Sequence, residues 1–537
     1  MTSAVTASSP LYVSASDIGL WYYARSHSLL FLLSVAVAAL FLRYIKSPWR
    51  YTPPGPRGFP LLGNLLALRD QRWLFSPDCR EKYGDIIFLN VLGQPTVILN
   101  SQEVAADLLD RRANIYSDRP HLILGNDICC GGHSFVLSSY GDRWRRMRRA
   151  AHEALSSTAI KDFYDVQRKE AILLASHVLA DASGRDSHFR RATASSFLSI
   201  IYDLPTIQSE HDVNLMKVEH HIDRHVKASA PGAHLVEIFT WMRFLPSWMA
   251  KWKREAEKWY ERDSAMFEGL VDQVQANLEK GMDRPSLAAS LLRDEGRVGL
   301  SVRERAWLTG GLYVAGSETT PSTLQWWTLA MIAYPDTQRR AQAELDAVVG
   351  RDRLPTFADL PYLPYLRALV KEVLRWRPTV PLGIPHRLSE DDWYKGMFIP
   401  AGTICFGNIY QCNRDPDVYG ADAAHFEPAR HLDAEGAVAV GPAETKEEGH
   451  VMFGFGRRIC IGRHVANNAL AIDIAIVLWA ASLEAATDAN GQVIPLDVDN
   501  YNEVGIVSRP VPFGCTISPR FPEAPILLAA EREQYDI

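Results

Sequence analysis

The stretch FGFGRRICIG, Phe453–Gly462, decides the fold prediction, because it sets one cysteine, Cys460, among three glycines and two adjacent arginines. Backbone N–H groups in a tight glycine turn stabilise an anionic sulfur. The sequence after Gly462 has a helical pattern, so Cys460 is expected just before a helix N-terminus, a position that lowers the pKa of a thiol. The stretch therefore predicts a thiolate metal ligand. The alternative is an inert, buried cysteine on a glycine turn.

The composition is that of a large globular protein, with 537 residues, 47% of them hydrophobic and 22% charged. A net charge of -6 gives no general attraction to nucleic acid. The 7 cysteines are odd in number and form no C-x-x-C pair, which argues against a zinc site and a disulfide framework. A reducing, cytosol-facing setting fits this cysteine usage.

An apolar run near the N-terminus, LLFLLSVAVAALFL, predicts a transmembrane anchor over residues 28–45 behind a short lumenal segment, residues 1–27. Basic residues follow the run, so the positive-inside rule leaves the remainder of the chain on the cytoplasmic side. A cleaved signal peptide is the alternative. Residues 46–60 are basic and rich in proline, and they predict a stiff hinge.

The remainder of the chain, residues 61–537, is expected to form one large domain that is mainly α with small β-sheets. DIIFLNV and PTVILN read as two strands around a turn, and long amphipathic stretches at 142–180, 250–280, 301–334 and 337–350 predict helices. Short strands are expected near 397–407 and 505–518. Residues 432–450 have no core-forming pattern and predict a loop.

The spacing F-x-x-G-x-R-x-C-x-G of Phe453–Gly462 resembles the haem-ligand loop of the cytochrome P-450 family at every fixed position, and the resemblance extends from Pro53 to Arg520. It implies the P-450 fold with a haem b (iron protoporphyrin IX) cofactor and Cys460 as the metal ligand, whose thiolate pushes electron density onto haem iron. It also implies that Phe453 covers the sulfur, that Gly462 lets the backbone approach the cofactor, and that Arg458 meets an acidic group at the cofactor edge.

Two further segments resemble structural motifs of this family. KEVLRWRP places Glu372 and Arg375 three residues apart on one helix face, where they can pair. FEPARHL resembles the P-x-R segment, and this implies that Arg430 joins the other two residues in a buried charged cluster. Ala429 replaces the glutamate that is commoner after the proline, so this loop is expected to be less tethered.

The edge of the cofactor is expected to meet residues from two other segments. Trp144 and Arg148, in GDRWRRMRRA, match a W-x-x-x-R pattern that resembles the family's haem-propionate contact. GIPHRL adds a second contact through His386 or Arg387, and Arg387 is favoured. The other arginines around Trp144 read as a solvated helix face.

The segment AGSETTP, beginning at Ala315, resembles the family's oxygen-binding groove. Ser301 and Glu304 predict the start of its helix through a capping box. Pro321 lacks an N–H, so the helix is expected to open or kink beside residues 315–320. The resemblance implies that Thr319 hydrogen-bonds the bound dioxygen and that Glu318 brings protons from solvent. The alternative is a kinked core helix with buried polar residues.

The resemblance implies a membrane-anchored haem-thiolate monooxygenase that puts one oxygen atom into a lipophilic substrate. A single-pass protein of the endoplasmic reticulum, with a role in fungal secondary metabolism or xenobiotic oxidation, is expected. The alternatives are a haem-thiolate isomerase or dehydratase that uses no dioxygen, and a non-enzymatic haem sensor. By analogy with the family, the segments expected to face the substrate are residues 121–137, 312–315, 379–385 and 505–507. These segments are mostly apolar, and Asp127 is their one certain charge.

Electrons must come from a partner, because the chain has no G-x-G-x-x-G unit or fused flavin-type domain. An NADPH-cytochrome reductase is expected, with a cytochrome b-type donor as a second candidate, and Arg145, Arg146 and Arg457 would attract its acidic face. The segment 239–253 holds three tryptophans beside basic residues, which favours the membrane interface over core packing.

Overall fold

The computed structural model describes residues 30–39, 41–43, 45–68, 74–229, 234–282, 284–535 and 537. The predicted lumenal segment, residues 1–27, lies outside the described residues. The chain forms two compact units. The smaller unit joins the chain up to Pro53 with Asp391–Pro400, and the larger unit contains Pro54–Glu390 and Ala401–Ile537.

The larger unit is mainly helical. Its longer helices are α1 Pro77–Tyr83, α2 Asp142–Ala154, α3 Tyr164–Ala180, α4 Arg185–Tyr202, α5 Val213–Ser229, α6 Lys251–Glu279, α7 Leu287–Arg293, α8 Val302–Ala333, α9 Pro335–Val348, α10 Pro364–Trp376, α11 Arg463–Ala480 and α12 Ala524–Gln534. Single turns complete the helical content, among them π-helical turns at Ala106–Arg111 and Ile123–Ile128 and 3-10 turns at Thr240–Phe244, Pro428–His431 and Gly456–Arg458. The predicted helical stretch 142–180 is divided into α2 and α3, with a 3-10 turn at Ala159–Phe163 between them.

The strands form small sheets, so the prediction of a mainly α fold with small β-sheets is confirmed. They are β1 Ile86–Val91, β2 Gln94–Leu99, β3 His386–Arg387, β4 Asp392–Tyr394, β5 Met397–Ile399, β6 Ile404–Gly407, β7 Ala481–Ala485, β8 Tyr501–Val504, β9 Val507–Pro510 and β10 Cys515–Pro519. One sheet has the order β1-β2-β6-β3, and the others are the pairs β10-β7, β4-β5 and β8-β9. The predicted hairpin is present, with Ile86 opposite Leu99 in an antiparallel pair.

Helix α8 lies at the centre of the larger unit. Its N-terminus has the predicted capping box, in which the Glu304 N–H donates to Ser301 Oγ at 3.2 Å and the Ser301 N–H donates to Glu304 Oε2 at 2.9 Å. Most of its residues are buried, and it packs against α4, α6 and α10. A helix that is apolar on all sides is stable only where protein surrounds it, which accounts for this central position.

The smaller unit contains the β4–β5 hairpin and a 3-10 turn at Pro48–Tyr51, and the ring centres of Trp49 and Phe398 lie 6.4 Å apart. Residues 30–39 are helical and exposed. Within the described residues, the structure contains no helix that is long and apolar enough to cross a membrane. The anchor over residues 28–45 remains a prediction.

Candidate functional site

The Cys460 loop is held by backbone contacts. The Cys460 N–H donates to the carbonyl of Phe453 at 2.9 Å, and the Gly456 N–H donates to the carboxylate of Asp110. Gly456 has a φ of 59°, and a Cβ atom there would lie 2.1 Å from the carbonyl oxygen of Leu109. Only glycine therefore fits this turn. The sequence predicted close backbone approach in this loop, and at Gly456 the close neighbour is the π-helical turn Ala106–Arg111.

The electrostatic setting of Cys460 differs from the prediction. Burial raises the pKa of the Cys460 thiol, although the Gly462 N–H and the charges of Arg148 and Arg463 act to lower it. The prediction of a lowered pKa is therefore wrong for the thiol alone, because desolvation outweighs the helix N-terminus. The side chain is nevertheless accessible. A thiol that is both desolvated and accessible faces an enclosed space.

One stripe of α8 is also open, although the rest of this helix is buried. Ala315 is exposed, Gly311, Glu318 and Thr319 are half-buried, and an added Cβ atom at Gly311 would meet no atom within 4 Å. Positions 311, 315, 318 and 319 lie on one side of a helix, because residues three and four apart share a face. The helix thus presents small and polar residues to open space in the interior.

A group of buried cations lies near the loop. Arg458 donates from Nε to the Ser117 carbonyl at 2.9 Å and from Nη2 to the Ser138 carbonyl at 2.8 Å, while its buried Nη1 has no partner among the described residues. Its guanidinium lies 4.2 Å from the ring centre of Trp144, which is itself buried. Burial lowers the pKa of Arg458 to about 10. Trp144 therefore orients Arg458.

Arg119 belongs to this group of cations, although the sequence analysis did not single it out, and His386 is buried close to it. Arg119 Nη1 donates to the carbonyls of Ile384 and Pro385, each at 2.7 Å. Burial, followed by the charge of Arg458, lowers its pKa. Burial and the charges of Arg119 and Arg458 likewise lower the pKa of His386. No local sequence pattern indicated Arg119, because its partners come from distant segments.

Arg148 and Arg387 differ in their surroundings. Burial lowers the pKa of Arg148, while the charge of Cys460 acts in the opposite direction, which places the guanidinium near the thiol. Arg387 is 44% exposed and lies 3.8 Å from a carboxylate oxygen of Asp118. The structure brings Arg148, Trp144, Arg458 and Cys460 together, and on β3 it is His386, not Arg387, that is buried beside Arg458. A haem contact by either residue of this pair stays a prediction.

These residues fit a haem. Haem is a flat ring with two carboxylates on one edge. A haem-thiolate site therefore requires a sulfur ligand for the iron, small residues next to the ring face and cations beside the carboxylates. The described residues offer Cys460, the open stripe at Gly311 and Ala315, and a buried guanidinium nitrogen of Arg458 without a partner. A Cβ atom at Gly462 would lie 4.0 Å from Cys460 Sγ, so the glycine keeps this side of the sulfur clear. Phe453 is half-buried beside His450, with ring centres 5.5 Å apart.

Glu318 and Thr319 lie on the accessible part of α8. Glu318 forms an ion pair with Arg509 of β9. Burial raises the pKa of Glu318, and Arg509 counters this effect. Thr319 Oγ1 donates to the Ala315 carbonyl at 3.0 Å. The helix is continuous through Pro321, so the predicted opening does not interrupt α8. The roles of Glu318 and Thr319 stay predictions.

The charged cluster of Glu372, Arg375 and Arg430 is fully formed. Arg375 Nε and Nη2 each donate to the Glu372 carboxylate at 2.7 Å, and Arg430 Nε donates at 3.2 Å. His431, which the sequence analysis missed, lies 3.0 Å from Glu372 Oε2 through Nε2. The Glu427 N–H also donates to Glu372 at 2.8 Å, so the loop with Ala429 is tethered.

Comparison with known proteins gives consistent matches. Residues 53–503 match the family model described as Cytochrome P450. The chain is 57% identical to a cytochrome P450 monooxygenase of Armillaria gallica over 499 residues, which cover 93% of this chain and 96% of that protein. It is 45% identical to cytochrome P450 monooxygenase 58 of Postia placenta over 98% of this chain and 99% of that protein. It is also 39% identical to cytochrome P450 monooxygenase iboC of Amanita muscaria over 94% and 97%.

Proposed function

The chain belongs to the cytochrome P450 family and is a monooxygenase by its relatives, and from this premise we propose that it oxidises a neutral, lipophilic organic substrate in fungal secondary metabolism or xenobiotic oxidation. The carrying observation is that the larger unit contains both an accessible, desolvated thiol at Cys460 and an accessible stripe of small residues on the otherwise buried α8. Haem b is the cofactor that we propose for this space. When bound, a haem-thiolate centre supplies dioxygen activation.

The residues around that centre hold it and supply protons. Cys460 is the ligand, and Arg458 and Arg148 neutralise the acidic edge as charge-assisted donors. Thr319 places a hydroxyl at the open stripe. Glu318 is a carboxyl whose pKa is raised by burial, and such a group can act as a proton donor and acceptor. Arg509 keeps that carboxyl in place. The pair supports oxygen chemistry over a haem-thiolate isomerase or dehydratase, which uses no dioxygen and therefore has no bound oxygen to protonate.

We infer the substrate class from the charged residues in the segments that are expected to face the substrate. Asp127 is the one acidic residue predicted there, and it is paired with His121 Nε2 at 2.8 Å and with Arg243 at 3.5 Å. The described residues of these segments carry no other Asp, Glu, Lys or Arg side chain, so a charged ligand would find no free counter-charge in them to offset its desolvation. Leu382 and Ile384, by contrast, are half-buried and offer apolar surface, which favours a ligand that gains affinity by burial.

Membrane association and the electron donor are part of the proposal. Phe244 and Trp248 in the 239–253 segment are 80% and 76% exposed, beside Arg243, as expected for the interface of a bilayer. With the anchor over residues 28–45, they support a place on the endoplasmic reticulum membrane. Monooxygenases of this family need a redox partner. Arg145 and Arg457, which both lie over the ring of Tyr140, offer an acidic reductase a positive target.

A matched binding experiment tests the substrate class. The purified protein is titrated with pairs of compounds that share one skeleton, such as a terpenoid alcohol and its carboxylate. We expect the neutral member to shift the Soret band to shorter wavelength and the charged member to do so weakly. Asp127→Asn should bind the neutral compounds as the wild type does. Binding of only the charged members, or its loss in Asp127→Asn, would overturn the proposed substrate class.

A further inference from the structure

A small polar cavity lies where helices α3, α4, α8 and α11 meet. Its volume is about 10 Å³, which is about the space that one water molecule needs. Helix α8 contributes Thr320, the neighbour of Thr319, and α11 contributes Asp473. Polar walls in the centre of a helical core need an explanation, because burying polar groups costs free energy unless they are hydrogen-bonded.

Several groups in the cavity wall lack hydrogen-bond partners within the described part of the chain. Ser196 Oγ and Gln167 Oε1 have none, and their residues are only 5% and 2% exposed. The Gln167 amide nitrogen is already used, since it donates to the Val465 carbonyl at 3.0 Å. The side chain of Asp473 is also buried, and no described group hydrogen-bonds to it. Buried polar atoms of this kind generally bind an ordered water.

The two carboxyl groups in the cavity wall, Glu170 and Asp473, differ in their partners. Glu170 is paired, because Arg191 Nη1 donates to its Oε2 at 3.0 Å and Ser195 Oγ donates to its Oε1 at 2.5 Å. Asp473 has no such cation. Burial, and then the negative charge of Glu170, raise the pKa of Asp473 well above its usual range, while Arg191 opposes them more weakly. A buried carboxyl to which no described cation hydrogen-bonds favours its neutral, protonated form.

One water would satisfy the unpaired groups. It would accept from the Asp473 carboxyl and from Ser196, and it would donate to Gln167 Oε1 and to the Thr320 hydroxyl. A bound cation is disfavoured, because a protonated Asp473 supplies no negative charge. The hydroxyl of Thr193, another wall residue, is already used by the Phe189 carbonyl at 2.9 Å.

We propose that Asp473 is a buried, protonated acid that can donate its proton through one water to Thr320. It would thus be a proton source for α8 that is separate from Glu318. The inference rests on the monooxygenase function, which consumes protons. When the Asp473 O–H bond breaks, the proton passes to the water and then to the Thr320 hydroxyl, whose own proton moves on toward Thr319. The positive charge of Arg191, which is paired with Glu170, acts from a distance to stabilise the carboxylate left behind. Bulk water returns the proton. Asp473 is a positioning residue, since it does not touch the reacting atoms.

Infrared spectroscopy of the full-length protein tests the proton on Asp473 independently of turnover. We expect the difference spectrum between the wild type and Asp473→Asn at neutral pH to contain a carboxylic-acid C=O band that shifts on exchange into D₂O. Thr193→Val is the matched control, because it changes the same cavity without removing an unpaired group, and it should retain the band. This readout does not depend on the substrate class, so its failure is distinct from a failure of that proposal.

Turnover then tests the delivery of the proton. With Asp473→Asn and with Thr320→Val, hydrogen peroxide formed per product should at least double relative to the wild type and Thr193→Val, and the solvent deuterium isotope effect on product formation should increase. Thr320→Val should keep the infrared band, and it serves as the second variant if Asp473→Asn does not fold. Absence of the band in the wild type, or a peroxide ratio unchanged in the variant that folds, would overturn the inference.

Discussion

Glu372 is a buried carboxylate with several partners. Its lowered pKa predicts how the free energy of unfolding depends on pH. Burial alone would raise the pKa, but the hydrogen bonds and charges of Arg375 and His431 lower it from 4.5 to about 2. The stability that this group contributes is present above its unfolded pKa. It is lost as the pH falls from 4.5 toward 2.

The change Glu372→Gln should lower the free energy of unfolding at neutral pH by about 3–5 kcal/mol, because it leaves buried cations without a counter-charge. The variant should also lose less further stability than the wild type on acidification through this pH range. Urea unfolding at several pH values measures both effects. Equal acid sensitivity of variant and wild type would contradict the pKa assignment.

Thr319 has a matched control on its own helix. Thr319 Oγ1 and Thr328 Oγ1 each donate to the carbonyl four residues earlier, at 3.0 and 2.8 Å, but Thr328 is fully buried. Thr319→Ala should keep the haem yet lower coupled product formation by about tenfold to a hundredfold, at or below the usual contribution of a general acid. Peroxide should increase. If Thr328→Ala produced the same loss, the hydroxyl at 319 would have no special role.

The element that carries Cys460 depends on glycine backbone geometry at two positions with different surroundings. Gly454 has a φ of 76° with no atom within 4 Å of an added Cβ, whereas Gly456 has a φ of 59° and a clash with the Leu109 carbonyl. Gly454→Ala should cost about 1–2 kcal/mol from the left-handed backbone alone. Gly456→Ala should cost more and reduce haem retention. Thermal unfolding and haem content separate the two, and similar values for both variants would disprove the clash.

The elements that could be predicted from the sequence are those specified by residues close to one another in the chain. The β1–β2 hairpin alternates and is rich in β-branched residues, and Ser301 with Glu304 fixes the first turn of α8. The Glu372–Arg375 pair was predicted because it lies within one helix turn. The division of 142–180 into two helices was missed. Its intervening residues carry neither a proline nor a glycine, and the break is marked only by the weaker signal of the polar cluster at residues 156–158.

At the scale of the whole molecule, the residues that the sequence could not reveal are those defined by distant contacts. Arg119 is tied to carbonyls more than 250 positions away, and Asp473 gains its role only where four helices meet. In the sequence, Asp473 stands inside an apolar helix with no partner at helical spacing. His431 was missed for the same reason, because its contact with Glu372 spans two segments.

The proposed membrane binding involves two separate segments of the chain, the anchor over residues 28–45 and the 239–253 segment. Deleting residues 1–46 should leave part of the protein on anionic vesicles, because Trp241, Phe244 and Trp248 stay exposed. Adding Trp241→Ser, Phe244→Ser and Trp248→Ser to the deletion should release it. Trp479→Phe in the deleted protein is a control, since that ring is fully buried. Vesicle flotation measures the bound fraction, and complete release by the deletion alone would contradict a membrane role for the 239–253 segment.

The central claim is that Cys460 is the thiolate ligand of a haem, and the ferrous–CO spectrum tests it most directly. The wild type should show the red-shifted absorption band that thiolate ligation produces. Cys460→Ser should lose it, while Cys405→Ser, at a buried cysteine, and Cys515→Ser, at a half-buried one, should retain it. A Cys460→Ser protein that keeps the red-shifted band would contradict the account.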